Sequence, residues 1–121
     1  LSAAGVAEIA GALRRLDVAE GAVIVRRGRA GESMYFIVAG EVEVRLHPTP
    51  VRMAEGAFFG EMALLGAGVR NATIVATRPT TLLVLDVADF RRLAARHADL
   101  AAAVEAEAHR RAVARKLEID A

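Results

Sequence analysis

Residues 59–73 read FGEMALLGAGVRNAT and separate two groups of short, strand-like apolar runs. Gly60 precedes residues 61–65, whose composition predicts one or two turns of helix. Backbone N–H groups at the start of a helix lack intrahelical partners and carry a small positive dipole charge, so they attract anions. Gly60 also lets a ligand approach the backbone closely, because glycine has no Cβ.

Two charged side chains extend this pattern. Arg70 offers a planar fork of donors that suits a phosphate. Glu61 accepts hydrogen bonds from hydroxyl groups but repels phosphate. The segment therefore fits a ligand that carries both a phosphate and a ribose hydroxyl. From the residue pattern alone, a solvated surface role for Arg70 and compensation of the helix dipole by Glu61 remain open.

Outward from this segment, several short runs alternate between apolar and polar side chains. Residues 41–46 alternate cleanly, which predicts a strand with one buried and one wet face. Pro48 and Pro50 mark a loop, since proline cannot donate to a β-ladder. Strands at intervals of about 8–12 residues are typical of a sandwich or a barrel-like roll. The predicted strands are 22–27, 33–38, 41–46, 51–53, 72–77 and 81–85.

Helical periodicity lies at the two ends of the chain. Ser2 is a candidate N-cap for a helix over residues 2–16, and Asp86 for a helix after residue 86. A second, longer C-terminal helix is predicted over residues 98–117. The fold class expected is α+β: an antiparallel, jelly-roll-like β-roll with an N-terminal helix, a short helix within 59–73 and two C-terminal helices.

Composition narrows the classes of function. The chain has 121 residues, enough for one domain, and no cysteine, which excludes disulfides and thiolate metal sites. Its net charge of +1 gives no electrostatic case for nucleic acid. No apolar run approaches the roughly 18 residues of a membrane span. The chain begins at Leu1 rather than Met, which predicts a fragment of a larger protein.

Residues 59–73 resemble the phosphate-binding cassette of the cyclic nucleotide-binding domain family. The family pattern is roughly F-G-E-hydrophobic-A-L, a short spacer and then P-R-A/S-A-T. The glycines at 21, 28, 31 and 40 and the run 34–38 also fit the family's roll. The cassette matches are Phe59, Gly60, Glu61, Ala63, Leu64, Arg70, Ala72 and Thr73.

The resemblance implies a single domain over residues 1–121. A β-roll would span 17–85 and carry the phosphate-binding cassette at 59–73. Residues 86–117 would form hinge and lid helices that fold over the base.

The resemblance also implies roles for individual residues. Gly60 would offer its N–H near the phosphate and ribose, Glu61 would accept a bond from the 2′-hydroxyl, and Arg70 would pair with the cyclic phosphate. Val44, Val51 and Met62 would line the pocket beside the purine, with a plain core role equally open. The ligand-binding set expected is Gly60, Glu61, Met62, Ala63, Arg70, Asn71, Ala72, Val44, Val51 and Glu105.

Two departures from the family pattern leave the choice between cAMP and cGMP undecided. Val69 replaces the usual proline and Asn71 replaces the usual small residue. Glu105 lies near a lid position where many cAMP binders carry arginine. A carboxylate at that position would pair with guanine. The other interpretation is that Glu105 is a solvated surface residue. The expected ligand is cAMP, with cGMP possible.

No metal or catalytic unit is expected. The histidines, at 47, 97 and 109, lack metal-ligand spacing. No Ser/His/Asp set or carboxylate pair is supported as a catalytic unit, so the chain is not expected to be an enzyme.

Residues 46–51 and 56–64 are similar to prokaryotic cyclic-nucleotide-gated potassium channels. This similarity implies a cytoplasmic domain of an inner-membrane protein, the parent being a homotetramer that contacts the membrane only through its transmembrane part. Nucleic acid is not an expected partner of this fragment. The alternatives are the sensor domain of a catabolite-activator-type transcription regulator and a degenerate roll that serves as a scaffold without binding nucleotide.

Overall fold

The structure, a computed structural model, describes residues 3–61, 63, 69–100, 102–103, 106 and 110. No helix in these ranges has the length and apolar character needed to cross a membrane. Met62, Glu105, all of residues 64–68 and the end of the predicted 98–117 helix lie outside the described residues.

Two four-stranded antiparallel sheets form the body of the protein. The strands are β1 (Arg14–Val18), β2 (Val23–Val25), β3 (Ser33–Ala39), β4 (Glu41–Arg45), β5 (Val51–Ala54), β6 (Phe58–Phe59), β7 (Thr73–Ala76) and β8 (Thr80–Asp86). The first sheet has the order β1-β8-β3-β6 and the second the order β2-β7-β4-β5. The predicted α+β fold with an antiparallel β-roll is confirmed.

The main core lies between the two sheets. Alternation in β4 buries Val42 and Val44 and turns Glu41 and Glu43 outward, as the 41–46 pattern predicts. Leu82 of β8 meets these valines in the same apolar cluster and is fully buried. Burying such side chains away from water is the main favourable term in folding.

The helix predicted over residues 2–16 is too long. Helix α1 ends at Ala12 (Ala3–Ala12), and Arg14–Val18 pairs with β8 instead. Leu16 and Val18 are two residues apart, so both pack on the main core from one face of a strand. A short apolar run satisfies helix and strand periodicity equally, and here pairing with β8 decides.

Helix α2 (Val87–Arg96) follows β8 directly, as predicted. Its Phe90 and Leu93 are buried in a second cluster with Met34 and Leu85, on the outer side of the first sheet. Residues 98–100, 102–103, 106 and 110 are also helical.

One acidic side chain ties the two helices together. Glu8 of α1 forms an ion pair with Arg96 at 3.2 Å through one carboxylate oxygen. Its other oxygen lies 3.2 Å from Nε2 of His97, the C-cap residue of α2. The C-terminal end of α2 is therefore fastened to α1.

The turn between β3 and β4 depends on Gly40. Its φ is +102°, and an added Cβ would lie 2.7 Å from both the Pro79 carbonyl oxygen and the Thr80 Cα. The Thr80 hydroxyl sits against the same turn, where it accepts the Glu41 N–H at 3.2 Å. Gly56 has a similar φ of +89° but open space around it.

We expect Gly40→Ala to lower the free energy of unfolding by about 2–5 kcal/mol, through left-handed backbone strain together with overpacking against Thr80. Gly56→Ala is the matched control, because it carries the same strain without the clash and should cost about 1–2 kcal/mol. Urea unfolding of both variants measures the difference. Equal losses would show that the close approach to Thr80 contributes nothing.

Candidate functional site

The backbone of Arg70 is fixed to the turn that follows β2. Its N–H donates to the Arg29 carbonyl at 2.8 Å, and its carbonyl accepts the Gly28 N–H at 2.9 Å. The preceding Val69 forms an antiparallel bridge with Ala30. The side chain of Arg70 therefore starts from a defined point on the wall of the roll.

The guanidinium of Arg70 reaches two other segments. Nη2 donates to the Ser33 carbonyl at 2.7 Å, at the start of β3, and Nη1 lies 3.5 Å from the Gly60 carbonyl oxygen. Cζ lies 5.7 Å from the centroid of the Tyr35 ring, within the range of a cation–π contact. The bond to Ser33 is short and the one to Gly60 is at the limit of hydrogen bonding.

Two glycines make room for this side chain. A Cβ on Gly31 would lie 2.8 Å from Nε and 2.9 Å from Cζ of Arg70, and a Cβ on Gly60 would lie 2.8 Å from Nη1. Gly60 also has a φ of +85°. The sequence pattern assigned Gly60 to the approach of a ligand, and the structure adds that it and Gly31 seat the arginine.

The chain turns at Glu61 and Ala63, directly after Gly60. Glu61 and Ala63 lie in a short 3₁₀ turn, with the Ala63 N–H donating to the Gly60 carbonyl at 3.1 Å. Both side chains are buried, Glu61 at 7% exposure. Phe59, just before Gly60, stacks on Tyr35 with ring centroids 5.0 Å apart. The glycine-led segment and Arg70 are thus assembled around Tyr35.

The other predicted pocket residues divide into two groups. Val44 and Ala72 are buried in the main core together with Phe59. Val51 is directly opposite Val44 on the edge strand β5 but is 40% exposed, and Asn71 is exposed as well. Met62 and Glu105 lie outside the described residues. The ligand contacts of all these residues remain predictions.

Two open clefts adjoin the Arg70–Ser33 contact. One, of about 360 Å³, is lined by β2, the turn after it, Tyr35 and Arg70. The other, of about 700 Å³, is lined by Arg14, Gly31, Glu32, Ser33, Ala63, Asp86, Val87, Ala88 and Arg91. Within the described part of the chain, no group of three or more His, Asp or Glu side chains is placed to hold a metal ion.

Ser33 connects this site to helix α2, which sequence reasoning missed. Its buried hydroxyl donates to Oδ1 of Asp86 at 2.7 Å. Arg14 also reaches the Asp86 carboxylate, with Nε and Nη2 at 3.4 Å. The Ser33 hydrogen bond, followed by the one from Arg14, holds the pKa of Asp86 below its ordinary value. The partners are 53 and 72 residues apart in sequence, so no local pattern marks them.

The sequence is similar to parts of longer, characterised proteins. The chain is 45% identical over 101 residues to a cyclic nucleotide-gated potassium channel of Mesorhizobium japonicum, covering 84% of this chain and 28% of the channel. It is 36% identical over 95 residues to a cAMP-dependent protein kinase regulatory subunit of Schizosaccharomyces pombe, covering 77% of this chain and 23% of the subunit. The chain thus spans about a quarter of the length of these relatives.

The fold is also that of a protein of known structure. The crystal structure of the Thermus thermophilus catabolite activator protein matches with a TM-score of 0.85 and 29% identity, over 99% of this chain and 59% of that one. The sequence model of the cyclic nucleotide-binding domain matches residues 15–97, from β1 to the end of α2. This chain therefore belongs to the cyclic nucleotide-binding domain family.

Proposed function

We propose that the chain is a non-catalytic sensor that binds cAMP. Arg70 pairs with the cyclic phosphate, the Gly60 N–H lies near the phosphate and ribose, and Glu61 accepts a bond from the ribose 2′-hydroxyl. The observation that carries this proposal is the placement of the Arg70 guanidinium against Gly60, at the start of the turn that contains Glu61.

The two groups that now accept hydrogen bonds from Arg70 are ones that a phosphate can replace. Both are neutral backbone carbonyls, and the one on Gly60 is at 3.5 Å. A bond from guanidinium to an anionic oxygen is roughly twice as strong as a neutral one, and a phosphate can accept two parallel N–H groups. A cyclic phosphate therefore competes well for Arg70, above all against the long contact to Gly60.

The resemblance to prokaryotic cyclic-nucleotide-gated channels favours cAMP over cGMP as the ligand. Two positions bear on this choice. Asn71 is exposed, so its amide is available to a ligand rather than used in the core. Glu105 is the position whose carboxylate would pair with guanine.

We further propose that the parent protein is a potassium channel. Its tetramer would lie in the bacterial inner membrane with this domain in the cytoplasm, and residues 86–117 would act as hinge and lid, moving onto the base to gate the pore. The similarity to a named channel at 45% identity supports this. A transcription regulator is the alternative, favoured by the match to the catabolite activator protein. Membrane-spanning segments encoded upstream would fit the channel, and a helix-turn-helix encoded downstream would fit the regulator.

Arg70→Ala should weaken cAMP binding by about 30-fold to several-thousand-fold, because truncating one partner of a buried charged pair costs about 2–5 kcal/mol. Isothermal titration calorimetry of the domain measures this change. Arg27→Ala is the control, since it removes one exposed positive charge from the same turn. Its affinity for cAMP should be nearly that of the unsubstituted domain. No heat with either nucleotide would defeat the proposed function, and unchanged affinity in Arg70→Ala would defeat the phosphate role.

Gly31→Ala should weaken cAMP binding by about tenfold, equivalent to about 1.4 kcal/mol, because the new methyl group occupies the place of the Arg70 guanidinium. Gly21→Ala is its control: Gly21 lies just before β2, has a φ of +86° and has open space around it. Gly21→Ala should lose stability but keep its affinity. The same affinity in both variants would show that Gly31 does not position Arg70.

Calorimetric titration with cAMP and with cGMP tests which nucleotide the domain prefers. We expect tighter binding of cAMP than of cGMP. A preference for cGMP that disappears in Glu105→Ala would overturn the choice of cAMP and assign guanine recognition to that carboxylate.

A further inference from the structure

Helix α2 begins with a capping residue whose carboxylate is engaged elsewhere. Asp86 is at the N-cap position with an extended backbone, φ −77° and ψ 146°, which suits a cap, but its side chain makes no capping hydrogen bond. Aspartate is among the strongest N-caps, because its carboxylate accepts N–H groups of the first turn. Here that carboxylate accepts hydrogen bonds from Ser33 and Arg14 instead.

Ser33 joins this carboxylate to the arginine of the site. Its carbonyl accepts Arg70 Nη2 at 2.7 Å, while its hydroxyl donates to Asp86 at the same distance. The neighbouring Glu32 carbonyl accepts the Val87 N–H at 2.8 Å, so the same short segment holds α2 at a second point. A displacement of residues 32–33 therefore changes the hydrogen bonds that hold the start of α2.

We propose that Asp86 is a two-position cap and that Ser33 couples it to the occupation of Arg70. When Arg70 turns to an anionic ligand, the Ser33 carbonyl loses its charged donor and the 32–33 segment shifts. The Asp86 carboxylate then leaves Ser33 and caps the first turn of α2. This regulation deepens the proposed function and rests on it for the identity of the ligand.

Space and energetic competition both favour such a change. Ser33, Asp86 and Ala88 line the same open cleft of about 700 Å³, which leaves room for the carboxylate to turn. The two positions offer the carboxylate comparable partners, a hydroxyl and a guanidinium in one and helix N–H groups with a favourable dipole in the other. A ligand can shift such an equilibrium only through a contact that differs between the two states, and the Arg70–Ser33 bond is that contact.

Hydrogen exchange of the α2 amides at 88–90 tests the coupling without any ligand. Arg70→Ala removes the donor of Ser33 and should slow exchange there by about tenfold relative to the parent, with the amides of Leu82 and Val84 as internal reference. Arg70→Lys, which keeps the charge but loses the fork, should act in the same direction if Arg70→Ala fails to fold. Exchange as fast as in the parent, or faster, would overturn the proposal.

Hydrogen exchange measured with cAMP present tests this inference separately from the proposed function. We expect cAMP to slow exchange at 88–90 in the parent and in Ser33→Thr, which keeps the hydroxyl, and to have less than a twofold effect in Ser33→Ala. Calorimetry on the same samples reports binding independently. Binding with the same exchange response in Ser33→Ala as in the parent would overturn the coupling alone. Slowed exchange in Arg70→Ala, together with no binding of cAMP by the unsubstituted domain, would overturn the nucleotide assignment and leave the coupling intact.

Discussion

The hydrogen bond from Arg70 to the Ser33 carbonyl joins the segments on which the site depends. Arg70 lies in the loop segment that precedes β7, and Ser33 begins β3 in the opposite sheet. The bond therefore spans the opening between the two sheets. It also fixes the place of the guanidinium, which in turn requires glycine at positions 31 and 60. A single charged side chain thus sets the local backbone of two loops.

The surrounding roll provides a rigid frame for this contact. Leu82, Val42 and Val84 are fully buried, and close-packed interiors of this kind transmit displacement rather than absorb it. Polar groups at the edge of the frame are also partnered. Glu41 accepts the Thr77 hydroxyl at 2.8 Å and pairs with Arg52 and Arg78, which together hold the pKa of Glu41 below its ordinary value, the Thr77 bond contributing most.

Helix α2 is fastened at both ends, but by different means. Its C-terminal end is held by ion pairing of Glu8 with Arg96 and contact with His97. Its N-terminal end is held by Ser33 and Arg14 through Asp86. Exposed ion pairs contribute little to stability, so the pairs that involve Arg96 and Arg14 set the position of the helix more than they stabilise the fold. That distinction is consistent with the proposed role of α2 in responding to the ligand.

The alternation of β4 and the spacing of the short strands were sufficient to predict the roll, because period-two burial depends only on local sequence. The match in residues 59–73 was sufficient to predict the family. Local sequence could not assign Arg14–Val18, since its apolar spacing suits a helix and a strand alike, and only pairing with β8 selects the strand. The partners of Arg70 and Asp86 were also decided by tertiary structure alone. A hydrogen bond between residues 37 or 53 positions apart leaves no mark in local periodicity or propensity. The sequence by itself thus determined that residues 59–73 carry an arginine suited to phosphate, and only the folded chain decided that this arginine rests on Ser33 and, through it, on helix α2.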